Sequence, residues 1–232
     1  MKLSKQISIP VVLFFTMGVI TGYAMHKTRT ESTFGNSFPA EILIDSGHGS
    51  PDGGAVGANG TLEKDINLSI ALKIGEILEG KGCKVIYTRT GDNGIYDENE
   101  DTIRKMKVSD MRKRRKIMET SGADLFLSIH MNSFENAKAN GLHIFYSAEH
   151  EAEVKPLAES IQTHIAEITG AQTHAVKTVS EQLFLMKNPP LPCILAECGF
   201  LSNPEEEKKL NDENYQSRIA WAIADSVYEF YK

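Results

Sequence analysis

The sequence predicts a single α/β domain, with a mostly parallel, twisted sheet of about six strands and helices on both faces. Three observations carry this. Short apolar, β-branched runs at 42–44, 84–89, 123–129, 141–147 and 193–197 are separated by longer stretches with helical spacing. The first strand, helix and second strand form a βαβ unit, which favours parallel strands and a right-handed crossover. A chain of 232 residues is long enough for one such domain with a full core.

The domain is assigned to 40–232. Ahead of it, Lys2 and Lys5 precede an uncharged span at 7–24, ISIPVVLFFTMGVITGYA. Its length lies between that of a secretory signal peptide and that of a membrane anchor, so 1–25 is read as one of the two. Gly22-x-Ala24 offers a small-x-small cleavage pattern, and the polar stretch 26–39 reads as a linker. Both readings imply export, either to the outer face of the membrane or to the wall space beyond it. A net charge of −6 argues against nucleic acid as a partner. Three cysteines without Cys-x-x-Cys spacing form neither a disulfide framework nor a structural zinc knuckle.

The strand 42–44 breaks at Asp45-Ser46-Gly47 and sets His48 just past its end. A loop with Gly49, Gly53, Gly54, Gly57 and Gly60 follows, and Thr61 opens a helix with Glu63 in its first turn. That helix is predicted over 62–79. Ile66, Ile70, Ile74 and Ile77 mark its buried stripe, and Gly80 and Gly82 end it. The strand 84–89 leads to an acidic stretch, 91–101, which is either the rim of a site or a solvated loop. A basic helix is expected over 109–120 with Ser109 as N-cap. Its cations are too dense for one face, which leaves one of them, such as Arg114, to meet an anionic substrate group.

Strand 123–129 delivers His130 at its end, and 141–147 is a further strand. Pro156 suits a first helical turn, and the helix that it opens stops at Gly170. A strand or hairpin is expected around Leu183-Phe184-Leu185. Pro189, Pro190 and Pro192 enforce an extended approach to the strand 193–197, which ends in Glu197. Asn203-Pro204-x-Glu206 reads as N-cap, first-turn proline and N3 acid of a short helix. A last helix, 213–231, carries Ile219, Trp221, Ile223 and Val227.

Three strands thus deliver His48, His130 and Glu197 at their C-terminal ends, the edge where open α/β sheets bind ligands. His48, Glu63 and His130 make a two-histidine, one-carboxylate set, and a catalytic zinc site uses three protein ligands with a position left for water. Glu197 suits a general base beside it. Asp45 or Asn132 could orient a ligand imidazole. Each residue has a plainer reading: His48 as a loop residue, and Glu63 as an acid favoured by the helix dipole. A carboxylate closing the buried run 193–196 is harder to explain without function. The glycine loop lacks the G-x-x-x-x-G-K-[ST] pattern of a phosphate cradle. With His130 and Glu197 in view, its glycines read as slack that lets His48 and Glu63 meet.

Asp45-Ser-Gly-His48-Gly49, Gly53-Gly54-Ala55-x-Gly57, Glu63-Lys64-Asp65, Thr88-Arg89, Ser128-Ile-His130-x-Asn132 and Glu197-x-Gly199-Phe200-Leu201-Ser202-Asn203 occur in that order. Together they resemble the zinc-dependent N-acetylmuramoyl-L-alanine amidases, over about 42–231. The resemblance implies a single α/β domain acting on peptidoglycan, with zinc on His48, Glu63 and His130 and Glu197 as the catalytic carboxylate. It implies cleavage between the lactyl group of N-acetylmuramic acid and L-alanine of the stem peptide. Asp45, Asn132, Arg89 and Arg114 are the further candidates for supporting the ligands or meeting substrate.

Within the family, Ser109-Asp110-Met111-Arg112-x-Arg114 and the anchored layout look most like the spore-cortex amidases of endospore formers, which prepare muramic-δ-lactam. An activating protein partner is a further expectation. The chain departs from the family at Ser46, where proline is common, and at His174-Ala-Val176-Lys177, where an arginine is usual. The short segment 131–140 leaves little room for the self-blocking helix that some relatives insert after the second histidine. The alternatives are a zinc peptidase cutting within the stem peptide and a non-catalytic wall-binding or activator protein.

Overall fold

The computed structural model describes residues 40–179 and 183–232; the export segment 1–25 and the linker 26–39 lie outside the described residues. Strands β1 (Glu41–Ser46), β2 (Lys84–Tyr87), β3 (Leu125–Asn132), β4 (His143–Tyr146), β5 (Lys177–Thr178) and β6 (Cys193–Phe200) form one sheet in the order β2-β1-β3-β6-β4-β5. The first four strands in that order run parallel, and β4 lies antiparallel to β6. The helices are α1 (Glu63–Gly80), α2 (Ile103–Ser121), α3 (Glu151–Thr169), α4 (Pro204–Leu210) and α5 (Glu213–Tyr231).

Side chains alternate across each strand, so the sheet has two different faces. Ile42, Ile44, Leu127, Ile129, Ile194 and Ala196 point to one face. There they join the buried stripes of α1, α3 and α5 in the main core. Leu43, Phe126, Cys193 and Leu195 point to the other, where α2 and the stretch 185–191 supply a smaller cluster with Met118, Leu185, Met186 and Leu191. On this second face the alternation continues into Asp45, Ser128, His130 and Glu197.

Three expectations are corrected. Helix α2 starts at Ile103 rather than at 109, capped by the Thr102 side chain, and Ser109 lies buried within it, bonded to Asp97. Its buried positions are Ser109, Asp110, Arg114 and Met118, so it shows no apolar period to mark its start. Helix α3 starts at Glu151, an exposed acidic turn ahead of Pro156, and the proline sits inside it. Residues 184–186 form a 3-10 turn rather than a strand; the sixth strand is Lys177–Thr178 on the sheet edge. Between His130 and β4, residues 133–142 run as turns and bends.

Candidate metal centre

Strands β1, β3 and β6 are neighbours, and their registers oppose Asp45 to Ser128 and His130 to Glu197. His130 lies within β3, which runs past it to Asn132. His48 follows β1 in the left-handed region, at φ 60°. Glu63 is the first residue of α1. No side chain caps that helix; its first N–H groups are instead met by the glycine loop, Glu63 N by the Ala55 carbonyl at 2.9 Å and Lys64 N by the Gly53 carbonyl at 3.1 Å. This stitches the loop to the helix start. At Gly54, φ is +71° and a Cβ would come within 2.8 Å of the His48 ring. Gly54 therefore supplies close approach to His48 rather than slack.

Glu63 is buried and faces both histidines. His48 Nε2 stands 3.1 Å from its Oε2 and His130 Nδ1 2.9 Å from its Oε1. The two rings meet edge-on at 5.1 Å. Among the described residues these three form a group whose ligand atoms all lie within 4.8 Å of one another. Burial by itself would raise the Glu63 carboxyl, but the His130 and His48 contacts outweigh it and hold the group far below the usual carboxylate range. Burial by itself would lower His48, yet its contacts with Asp52 and Glu63 push it up to about 9. Two imidazole nitrogens and one ionised carboxylate converging within 4.8 Å of one another fit a divalent cation that takes mixed N and O donors.

Glu197 stands outside this trio, flanked across the sheet by His130 on β3 and His143 on β4. Its Oε2 is buried and has no hydrogen-bond partner. Burial, against the opposing pull of His130, lifts its carboxyl to about 7, and the Glu63 charge adds to the rise. A carboxylate poised near neutrality can both take and return a proton. A cleft of about 370 Å³ opens over these groups; His48, His130 and Glu197 line it, with Met106, Phe184 and Met186 among its apolar neighbours.

The other sequence candidates have different work. Asp45 reaches neither imidazole. Its oxygens accept from Thr88 and Ser128 and pair with Arg114 at 2.5 Å. Arg114 is buried and donates to the Ser46 and His48 carbonyls as well as to Asp45 and Asp110. Arg89 donates to the carbonyls of Ser46, Gly47, Lys64 and Gly91. Both guanidiniums are thus committed to the backbone that carries His48. The arginine expected to meet a substrate anion is instead an internal clasp. The Asn132 side chain accepts from the next residue, Ser133 N.

Asp52, which the sequence shows only as part of a Pro-Asp-Gly-Gly turn, orients His48: its Oδ2 is 2.9 Å from Nδ1. Glu207 also escaped notice. Buried in the first turn of α4, it accepts from Asn59 N and Thr61 N and so pins the far side of the glycine loop. A His-to-Asp spacing of four residues in a loop is a faint signal for the first; nothing local marks the second.

The N-acetylmuramoyl-L-alanine amidase model, Amidase_3, matches residues 42–229. The germination-specific N-acetylmuramoyl-L-alanine amidase of Bacillus subtilis (strain 168) is 35% identical over 190 residues, covering 82% of this chain and 79% of that protein. N-acetylmuramoyl-L-alanine amidase LytC of the same organism is 33% identical over 82% of this chain and 35% of its own length. Among solved structures, the CwlD amidase from Clostridioides difficile in complex with the GerS lipoprotein superposes with a TM-score of 0.78 at 39% identity. The match covers 82% of this chain and 98% of that one. The catalytic domain of CwlV, an N-acetylmuramoyl-L-alanine amidase from Bacillus (Paenibacillus) polymyxa var. colistinus, gives 0.69 at 32% identity.

Proposed function

Because this chain belongs to the N-acetylmuramoyl-L-alanine amidase family, we propose that it is a zinc enzyme cleaving the amide between the muramic lactyl group and L-alanine. The observation that carries the mechanism is the Glu197 carboxyl set across the sheet from His130, with its Oε2 buried and without a hydrogen-bond partner. His48, Glu63 and His130 would hold the zinc through Nε2, a carboxylate oxygen and Nδ1. Bound there, the ion supplies a Lewis acid for the substrate carbonyl and lowers the pKa of water. Glu197 takes the proton of the attacking water and returns it to the alanine nitrogen as the C–N bond breaks. Its near-neutral pKa suits both halves of that transfer. Asp52 holds His48 by Nδ1 and leaves Nε2 for the ion.

The test is to load the purified chain with zinc, incubate it with muropeptides and identify the products by mass spectrometry. Intact stem peptides with a free L-alanine amine, alongside peptide-free glycan, are expected. Shortened peptides still attached to glycan would mark a stem-peptide peptidase instead. Zinc-loaded protein that cleaves no glycan, with or without a partner, would favour a non-catalytic wall-binding role.

We further propose that the chain acts after export, at the outer face of the membrane or in the wall, on spore cortex in preparation for muramic-δ-lactam. The likeness to a germination-specific amidase supports the cortex substrate, and the likeness to an amidase solved with a lipoprotein supports an activating partner. Comparing turnover on cortex and on vegetative peptidoglycan tests the substrate. Fractionating cells for the intact chain tests the location.

A further inference from the structure

Helix α2 makes a second approach to the metal centre that hydrolysis itself does not call on. Its first two turns, 103–108, stand in solvent apart from Met106. From this exposed stretch Lys107 sends Nζ to Asp52 Oδ1 at 2.7 Å. The same oxygen accepts from Gly54 N at 3.1 Å. With Oδ1 occupied twice, Oδ2 is the oxygen left for His48 Nδ1, at 2.9 Å. A carboxylate held this way keeps the proton on Nδ1 and the Nε2 lone pair toward the cluster. Farther along α2, Arg114 Nη2 donates to the His48 carbonyl at 2.5 Å. One helix therefore grips His48 twice, by its ring through Asp52 and by its backbone through Arg114. The residue so gripped has φ 60°, a conformation that a side chain with a Cβ adopts rarely.

Resting on the zinc reading above, we propose that Lys107 is a positioning residue for the metal centre: by locking Asp52 it fixes the His48 ring and sets the zinc affinity. Lys107 also lines the cleft with its side chain about half exposed, so the rival role is a direct contact with a substrate carboxylate. The two roles differ in what they move. A positioning lysine changes metal affinity without substrate; a substrate contact changes KM alone.

The experiment measures zinc dissociation constants on the full chain by competition with a chromophoric chelator, with thermal unfolding of each metal-free protein as a folding control. Lys107→Met should bind zinc about five-fold more weakly, less than the roughly 10–100-fold that direct partners of ligands carry. Asp52→Asn should reach that larger range, and Lys107→Arg should stay close to the parent. Because the lysine is about half exposed, raising the salt concentration should narrow the gap between the parent and Lys107→Met. A Lys107→Met protein that binds zinc within two-fold of the parent overturns the proposal, and the more firmly if its KM is raised. A parent that binds no zinc overturns the metal reading and this proposal together, whereas a zinc-binding parent with an indifferent Lys107→Met overturns this proposal alone.

Discussion

The two faces of the sheet are made from alternate residues of the same strands, yet they follow different rules. The face under α1, α3 and α5 carries the main apolar core, with few buried polar groups such as Ser46 and Asn67. The other has only α2 and a short turn over its apolar half. Its remainder, from Asp45 across to Glu197, is polar and opens into the cleft. Apolar burial lowers the free energy of folding. Burying Glu197 without a partner raises it. The difference teaches that one face is selected for stability and the other for chemistry at a stability cost, and the two should respond oppositely to substitution.

The largest contrast is expected at Glu197. Glu197→Gln keeps the shape of the side chain and removes its base. It should lower turnover on muropeptides by about 10³-fold, within the range that general acid–base groups contribute, while zinc binding stays near that of the parent. Turnover within tenfold of the parent would remove Glu197 from the mechanism.

Arg114 is where the comparison is most exposed to failure. It lies on the chemical face, but it is fully buried and bridges Asp45 and Asp110. Arg114→Met leaves two carboxylates without their cation and should cost about 3–5 kcal/mol, as for other broken buried pairs. It should also weaken zinc binding, since the His48 carbonyl loses its donor. Lysine should rescue little, because one ammonium cannot replace a guanidinium bonded on several sides. A loss below about 1 kcal/mol in urea unfolding, against that expectation, would show that the clasp is dispensable.

On the covered face, Ile161 of α3 is fully buried in the main core. Ile161→Ala should cost about 2–5 kcal/mol and leave both zinc affinity and turnover per folded molecule unchanged. An altered zinc affinity there would mean that the two faces are coupled through the sheet.

The faces also differed in how far the sequence betrayed them. The covered face was legible because Ile66, Ile70 and Ile74 repeat with the helical period and all end up buried in one core. Helix α2 was not. Its buried stripe runs Asp110, Arg114, Met118, so no apolar period marks its extent, and Ser109 within it read as its cap. The parallel order of β1, β3 and β6 could be inferred, and with it the meeting of His48, Glu63, His130 and Glu197. What surrounds them could not. Arg89 and Arg114 are legible as cations, but nothing local shows that they are enclosed by the carbonyls of 46–48. Asp52 and Lys107 touch only because α2 folds back over the loop.

The smallest effect tests the stability cost itself. In the folded, metal-free chain burial pushes the Glu197 carboxyl up to about 7, from an ordinary 4.5. A group whose folded pKa is raised adds stability that is complete below its unfolded pKa and is lost as pH rises through the folded one. Glu197 therefore weighs against folding increasingly between pH 4.5 and 7 and by a constant amount above that. Glutamine carries no such titration. Metal-free Glu197→Gln should match the parent most closely at pH 4.5 and gain on it up to pH 8. The gain should be on the order of 2–3 kcal/mol, set by the size of the shift. Urea unfolding of both proteins at several pH values measures it. A difference that stays flat with pH would mean that the carboxyl is not desolvated in solution, and the open face would then carry its base at no cost.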